Sequence, residues 1–478
     1  DSIIISILLL SQVFSTTDIY VGYPDKEKNF ISIQDAVDEA TSINPQKESQ
    51  RVTIHIAPGT YRQQIRIETS YLTLKNEEPQ KGKVLITWYY GIGYKYYSAN
   101  DLGYYDEMLA KSKTTKNPAK FRWGATVLLL PNAYYFRAEN IYFENSFNNY
   151  ITAEELEDGV ELTYETGIKA ERNELLDVCS RSSTERAAAF SAEGPFAEFY
   201  RCEFHSSQDT LFTSNSPQYY KNCVIEGMTD YIFGESNAVF EECELRWKGY
   251  SDQALGGVIT AARKKEGDTG LYTGYFFYNC RVTGSKKYEV KPDCFGRPWR
   301  QTAKVTFVNT ILENENMLSD EAWRSMACEP EEADFYEYGT ILSNGTLVDI
   351  SKRRGKIFPD FNFAQFNLNM LRNNWVPFYS KSKNMEKYFE FGSIKIGGGG
   401  YISGIVVGKK EMYLRTDIGG AYKYDYKSGK WVQLFSHIKE SNKGYMSVKG
   451  IAIDPDDDDI VYFLCGCVYH YPYRTAIL

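Results

Sequence analysis

The chain has 478 residues, with 54 Lys and Arg against 63 Asp and Glu, for a net charge of −9. That balance, with no broad basic patch, excludes nucleic acid as an expected partner and leaves no global attraction for a polyanion. Length alone allows about three domains, but a solenoid relaxes that prior because it grows by adding coils.

Residues 2–14 are a short apolar run, too short to span a bilayer. They read as the h-region of a secretory signal peptide covering residues 1–17, with Ser15 near the cleavage point. A buried first strand is the alternative. The sequence starts at Asp1 without Met or a basic n-region, so an incomplete leader is expected. No later segment is long and apolar enough for a membrane span. A strand is expected to begin at Asp18–Tyr20. Ile31–Thr41 has helical apolar spacing and is predicted to cap the N-terminal end of a solenoid. Val52–Ile56 alternates as a strand and leads into a turn at Pro58 and Gly59. Residues 89–123 are rich in Tyr, Lys and Gly and read as a long loop over the solenoid face. Coils are expected to resume at Thr126, with Phe136, Glu139 and Ile141 in the repeat positions.

From there a short pattern recurs: an aromatic, two variable residues, Cys, one variable residue, an apolar residue. It reads Phe199–Cys202–Phe204, Tyr220–Cys223–Ile225, Phe240–Cys243–Leu245 and Phe277–Cys280–Val282, the first three copies being 21 and 20 residues apart. A period near 20 in strand-like sequence marks a β-solenoid. Residues one period apart then stack at roughly 4.8 Å. Asp209 and Asp230, 21 positions apart, should therefore lie side by side on neighbouring coils. Two carboxylates that close do not both ionise easily, so one holds a proton and the pair offers an acid together with a nucleophile or base. Two solvated turn residues are the bland alternative, opposed by the stacking register and by the flanking residues. Gln208 precedes the first Asp, and Gly296–Trp299 follows on a later coil, where Arg297 is suited to keep a carboxylate charged.

The chain has nine Cys, an odd number, so at least one is unpaired within it. Cys202, Cys223 and Cys243 should stack on successive coils. That leaves two readings: a Cys202–Cys223 disulfide, favoured if the protein is secreted, or a ladder of small buried thiols. His55, His205, His437 and His470 show no metal-ligand spacing, so no metal is expected. Further strands are expected over Val305–Leu312, a C-terminal cap at Ala364–Leu371, and its closure at Trp375–Phe378. Residues 380–390 are polar and read as a linker. Over 391–478 short strands joined by Gly and Asp turns suggest a propeller blade. Gly397–Gly400 lacks the Lys-Ser or Lys-Thr of a phosphate loop, and Asp456–Asp459 reads as a solvated turn.

Five motifs in order complete the picture: Gly59–Arg62, Gln208–Leu211, Asp230–Gly234, Ile259–Ala261 and Gly296–Trp299. Together they resemble the pectin methylesterases of carbohydrate esterase family 8, over about Asp18 to Phe378. The resemblance implies an all-β protein: a right-handed parallel β-helix over 18–379, followed by a truncated β-propeller segment. It also implies hydrolysis of methyl esters in homogalacturonan without a cofactor. Asp230 would be the nucleophile, Asp209 the acid and then the base, Arg297 the partner of Asp230, and Gln208 an oxyanion donor. Trp299, Tyr231, Phe233 and Phe212 would line the groove. One departure stands out: Arg186 occupies the place of a second oxyanion Gln, either as a donor itself or as a partner for a substrate carboxylate. Gln63, where the family often has Glu, reads as structural.

Residues 391–478 resemble the opening of family 74 glycoside hydrolases, which include xyloglucanases. Asp417 matches the base of that family, and its partner would come from a second propeller, so this part is expected to be inactive. The expected protein is a secreted, monomeric enzyme with pectin as partner and neither nucleic acid nor membrane. Rival readings are a pectate lyase, which needs a calcium cluster of carboxylates, and a catalytically dead pectin-binding module. A serine esterase is disfavoured because no Gly-x-Ser-x-Gly elbow is present.

Overall fold

The computed structural model describes residues 17–163, 171–179, 185–215, 217–249, 257–267, 273–286, 292–357, 375–380, 396, 398–408, 411–454, 457–466 and 475–477. The chain divides into two compact units, residues 1–382 and 383–478. The apolar run at 2–14, the cap expected at Ala364–Leu371 and most of the expected linker lie outside the described residues.

The first unit is a β-helix. Among the described residues, its strands form parallel sheets of twelve, seven and nine members. One coil runs through Ala197–Tyr200, Glu203–His205 and Leu211–Thr213, and the next through Gln218–Lys221, Val224–Gly227 and Ile232–Gly234. These strands pair in register. The repeat now has a local cause. Between the first and second strands of each coil one residue turns the corner in the left-handed region: Arg201, Asn222, Glu242, Asn279 and Asn309, at φ of 51°, 53°, 54°, 52° and 53°. Asn tolerates that conformation better than most residues. A Cys follows the first four of these corners and points inward, as does the aromatic two residues before each of the five.

The inward aromatics form a stack. Phe199–Tyr220, Tyr220–Phe240, Phe240–Phe277 and Phe277–Phe307 have ring centroids 4.7, 4.5, 4.6 and 4.2 Å apart. Each such pair contributes about 0.5–1.5 kcal/mol beyond the area it buries. Cys202, Cys223, Cys243 and Cys280 form a parallel ladder of buried free thiols, so the structure takes the thiol reading and contains no Cys202–Cys223 disulfide. In-register neighbours sit one strand spacing apart, about 4.8 Å, beyond the roughly 3.8 Å Cβ separation that a disulfide prefers. Three of the thiols instead meet a carbonyl of the preceding coil: Cys223 at Phe199 O (3.4 Å), Cys243 at Tyr220 O (3.5 Å) and Cys280 at Phe240 O (3.3 Å).

Two expectations are corrected. The repeat positions before 190 are Ala138, Ile141 and Phe143, because Ala138 pairs with Phe199 and Phe143 with Phe204. The expected set of Phe136, Glu139 and Ile141 was two residues early. A shift of two keeps the same strand face inward, and Phe136 is itself fully buried. Residues 89–123 are also more than a loop. Tyr94–Tyr96 pairs antiparallel with Asn117–Pro118 and with Glu161–Leu162, around a buried cluster of Trp88, Tyr89, Tyr90, Tyr94, Tyr96 and Phe147. This roof closes on Arg172, whose Nε donates to Glu155 Oε1 at 2.7 Å and whose Nη2 donates to Phe147 O at 2.7 Å.

At the N-terminal end a helix, Ile33–Ile43, covers the first coils, with Ser32 as its N-cap. Gln63 Oε1 accepts from the Ile33 amide (3.0 Å) and the Gln34 amide (3.3 Å). That fixes Gln63 as a structural residue, since the first amides of a helix lack intrahelical partners.

On the nine-stranded sheet His205 sits between two carboxylates, with Nε2 2.8 Å from Glu203 and Nδ1 3.4 Å from Glu226. Burial alone would push its pKa down, but the bonds and charges of Glu203 and Glu226 outweigh it and hold the ring at about 9, against 6.5 unperturbed. A raised folded pKa means this stabilisation is complete below pH 6.5 and is lost as pH rises toward 9. The amount at stake is up to about 3 kcal/mol. Melting temperatures of wild type and His205→Gln, taken from pH 6 to 9.5, should converge as pH rises. Parallel curves would rule the assignment out.

The second unit holds a four-stranded antiparallel meander, Ile402–Val407, Met412–Thr416, Ala421–Asp425 and Lys430–Gln433, and a three-stranded antiparallel sheet, Val448–Ile453, Val461–Gly466 and Thr475–Ile477. Tyr413, Ala421, Phe435, Val448 and Phe463 form a shared core.

Candidate active site

The seven-stranded sheet carries the site. Its outward residues Phe212, Phe233, Ala261 and Arg297 follow one another in register across successive coils. Just before the strands of Phe212 and Phe233 the chain passes through Asp209 and Asp230, both left-handed, at φ of 60° and 49°. Left-handed Asp is tolerated but costs energy, as is common where a site fixes a side chain. Gln208 bridges in parallel to Thr229 on one side and to Arg186 on the other. Arg186, Gln208 and Thr229 therefore stand on successive coils, and Asp209 and Asp230 are neighbours.

Both carboxylates are buried, Asp209 at 5% and Asp230 at 6% exposure. Arg297 grips Asp230 as a fork, Nε to Oδ1 at 2.8 Å and Nη2 to Oδ2 at 2.6 Å. Burial pushes Asp209 well above the usual carboxylate range and the charge of Asp230 pushes it further, while Arg186 and Arg297 pull against both. Burial also raises Asp230, but there the hydrogen bonds and charge of Arg297 oppose it directly. The asymmetry is in the partners: Asp230 has the bidentate guanidinium and Asp209 does not. The ionised carboxylate is therefore Asp230, and the proton rests on Asp209.

An aromatic wall stands beside the pair. Phe212 and Phe233 pack with Trp299 and with Trp123, which no motif had singled out. Trp123 lies 5.3 Å from Phe212, 5.1 Å from Phe233 and 6.0 Å from Trp299. It is carried by Arg122, Trp123 and Gly124, at φ of 47°, 64° and 66°. Left-handed non-glycine residues cost about 1–3 kcal/mol each. Arg122 holds this turn by pairing with Glu193 and donating to Tyr104 Oη at 3.1 Å. Arg324 is a second residue missed: its charge acts on Asp230. The signal for Trp123 was its place immediately before the coils resume. For Arg324 the sequence carried none.

Tyr231 is a correction. It is fully buried and packs edge-on against Trp247 at 5.6 Å, inside the helix. With Asp230 and Phe233 facing outward, Tyr231 and Ile232 between them take the inner face. In the second unit Asp417 is exposed, and its Oδ1 accepts the Tyr401 amide at 2.5 Å, the geometry of a residue bracing a turn.

Two buried carboxyls with unequal partners thus lie on neighbouring coils of a β-helix, beside a cluster of aromatic rings. Residues 171–356 match the pectinesterase family model. A probable pectinesterase A of Neosartorya fischeri is 37% identical over 169 residues, 35% of this chain and 48% of that protein. Pectinesterase 1 of Olea europaea is 26% identical over 320 residues, 66% of this chain and 69% of that one. The chain thus spans about half the length of the fungal relative. The pectin methylesterase PemA of Erwinia chrysanthemi superposes with a TM-score of 0.52 at 18% identity, covering 76% of this chain and 98% of that one. The carrot enzyme does so at 0.51 and 17%, covering 80% and 99%. The β-helix of the first unit is the fold of these two structures.

Proposed function

We propose that the first unit hydrolyses the methyl esters of homogalacturonan. The observation that carries this is the Asp209–Asp230 pair with the Arg297 fork on Asp230. Asp230 attacks the ester carbonyl carbon, and Gln208 and Arg186 donate to the oxyanion. As the tetrahedral intermediate collapses, the C–O bond to the methoxy group breaks and Asp209 gives that oxygen its proton, releasing methanol. Asp209, now a carboxylate, takes a proton from water as the water attacks the acyl-enzyme. Asp230 leaves as carboxylate and the uronic acid is freed. Methanol release from highly methylated pectin tests the reading, and its absence overturns it. Release that survives a chelator also separates this reading from a calcium-dependent lyase. Secretion belongs to the same proposal, resting on residues 2–14, and is tested by fractionating cells that express the chain.

Arg186 adjoins Gln208 and its charge reaches Asp209, which supports the donor role. Arg186→Ala is expected to lower turnover on the order of 10²-fold, the scale of one lost oxyanion donor. A change confined to KM on partly de-esterified pectin would assign it to a substrate carboxylate instead.

The second unit's meander supports a propeller-blade reading, related to family 74 glycoside hydrolases but without activity, because an inverting pair needs a second carboxyl that in that family comes from a second propeller. Asp417-dependent release of reducing ends from xyloglucan would overturn it.

A further inference from the structure

Next to the column of Phe212 and Phe233 runs another, one residue per coil. Thr213, Gly234, Ala262 and Pro298 pair in register, so the residues that follow them, Ser214, Glu235, Arg263 and Trp299, succeed one another along the same face. Ser214 Oγ donates to Glu235 Oε1 at 2.9 Å. Arg263 Nε and Nη2 both lie 3.0 Å from Glu235 Oε2. The Glu235 side chain is only 8% exposed, while Arg263 keeps 27% of its side chain at the surface. The Arg263 guanidinium lies over the Trp299 ring, 4.2 Å from its centroid. Trp299 in turn is 6.1 Å from Phe233 and 6.0 Å from Trp123.

We propose that Arg263, locked by Glu235, is a positioning residue that fixes the Trp299 ring as a wall for the sugar chain. This deepens the esterase reading and rests on it. Two of the guanidinium nitrogens are spent on Glu235, which neutralises the charge, so Arg263 is not a free clamp for a uronate carboxylate. It lies over the Trp299 ring, 4.2 Å from the centroid, and Trp299 is only half-buried, so part of the ring remains to meet a pyranose. A half-buried Trp at a rim otherwise samples several rotamers, and a substrate must then bear the cost of ordering it. Only a planar guanidinium both stacks on the ring and forks onto a carboxylate. The residue touches neither ester nor nucleophile, so its effect belongs in binding.

The test uses the full chain. Arg263→Ala and Glu235→Gln should raise KM for highly methylated pectin by about tenfold, the scale of one partly desolvated cation–π contact. The kcat should stay within about twofold, as for lost uniform binding. Arg263→Lys should restore little. Tryptophan emission should shift on Arg263→Ala in wild type but not in a Trp299→Phe background, a signature that a merely structural role would not give. An unchanged KM in both variants overturns the proposal. So does a KM effect confined to de-esterified chains, which would make Arg263 a carboxylate clamp, or a fall in kcat at constant KM. If the wild type releases no methanol, the esterase reading fails by itself, and the emission comparison still decides whether Arg263 fixes Trp299.

Discussion

Asp230→Asn is expected to cut methanol release by several orders of magnitude while the chain still folds. The substitution keeps the shape of the side chain and removes the carboxylate that Arg297 holds as a fork at 2.8 and 2.6 Å. An amide is no nucleophile at neutral pH, so the covalent route is lost rather than slowed. Asp209→Asn should fail differently. It keeps the nucleophile and loses the proton for methoxide, a general-acid contribution of about 10²–10⁴-fold. Synthetic esters with a good leaving group need no such proton. They should restore the acylation step of Asp209→Asn, seen as a burst of leaving group before deacylation stalls for want of its base, and give no burst with Asp230→Asn. A burst from both variants, or from neither, would mean that the roles are misassigned. A change at Asp230 also reaches its neighbour: its charge helps hold Asp209 protonated, so in Asp230→Asn the carboxyl of Asp209 should titrate lower.

The sequence reading succeeded where the solenoid's translational repeat turns sequence spacing into distance. Asp209 and Asp230 are legible as neighbours because 21 residues make one coil there, and the left-handed corner followed by an inward Cys repeats often enough to set the register. The same logic explains the failures. Around Phe136 the register shifts by two, because Phe136 and Ile141 are both buried and fit the aromatic and apolar positions of the wrong frame as well. Stacked cysteines do not come within bonding reach here, because parallel strands hold them a full strand spacing apart. Tyr231 adjoins Asp230 in sequence, but the chain turns at Asp230 in the left-handed region, at φ of 49°, and Tyr231 enters the core. Trp123 and the roof at 89–163 fall outside the repeat altogether. Their strands pair across long sequence separations, Tyr94 with Leu162 for example, and no period announces such contacts.

The roof offers the largest expected effect on stability. Arg172 and Glu155 form an ion pair with side chains 3% and 0% exposed. Arg172 also stacks over Phe147, 3.7 Å from the ring centroid. Burial pushes the Glu155 carboxyl up, and Arg172 opposes that shift. Arg172→Ala removes the opposition and leaves a carboxyl in an apolar pocket, at a cost of about 3–5 kcal/mol. The variant has a signature in pH. Without its partner Glu155 must take up a proton to fold, so its folded pKa rises above the unfolded one. Stability is then lost as pH rises between the two values, and the gap to wild type should narrow in acid. Replacing both residues with apolar side chains, Arg172→Met with Glu155→Leu, should recover most of the loss, since a buried ion pair is itself worth little over good packing. Activity should follow stability, because the roof supports the site: the Ile92 amide donates to Arg186 O at 3.0 Å and Asn148 Nδ2 donates to Glu185 O. Loosening that attachment displaces Arg186 from beside Gln208. Arg172→Ala should therefore lower turnover even at temperatures where it remains folded, and the double variant should restore turnover and melting temperature together. Recovery of the melting temperature without turnover would show that the roof stabilises the β-helix but does not position Arg186.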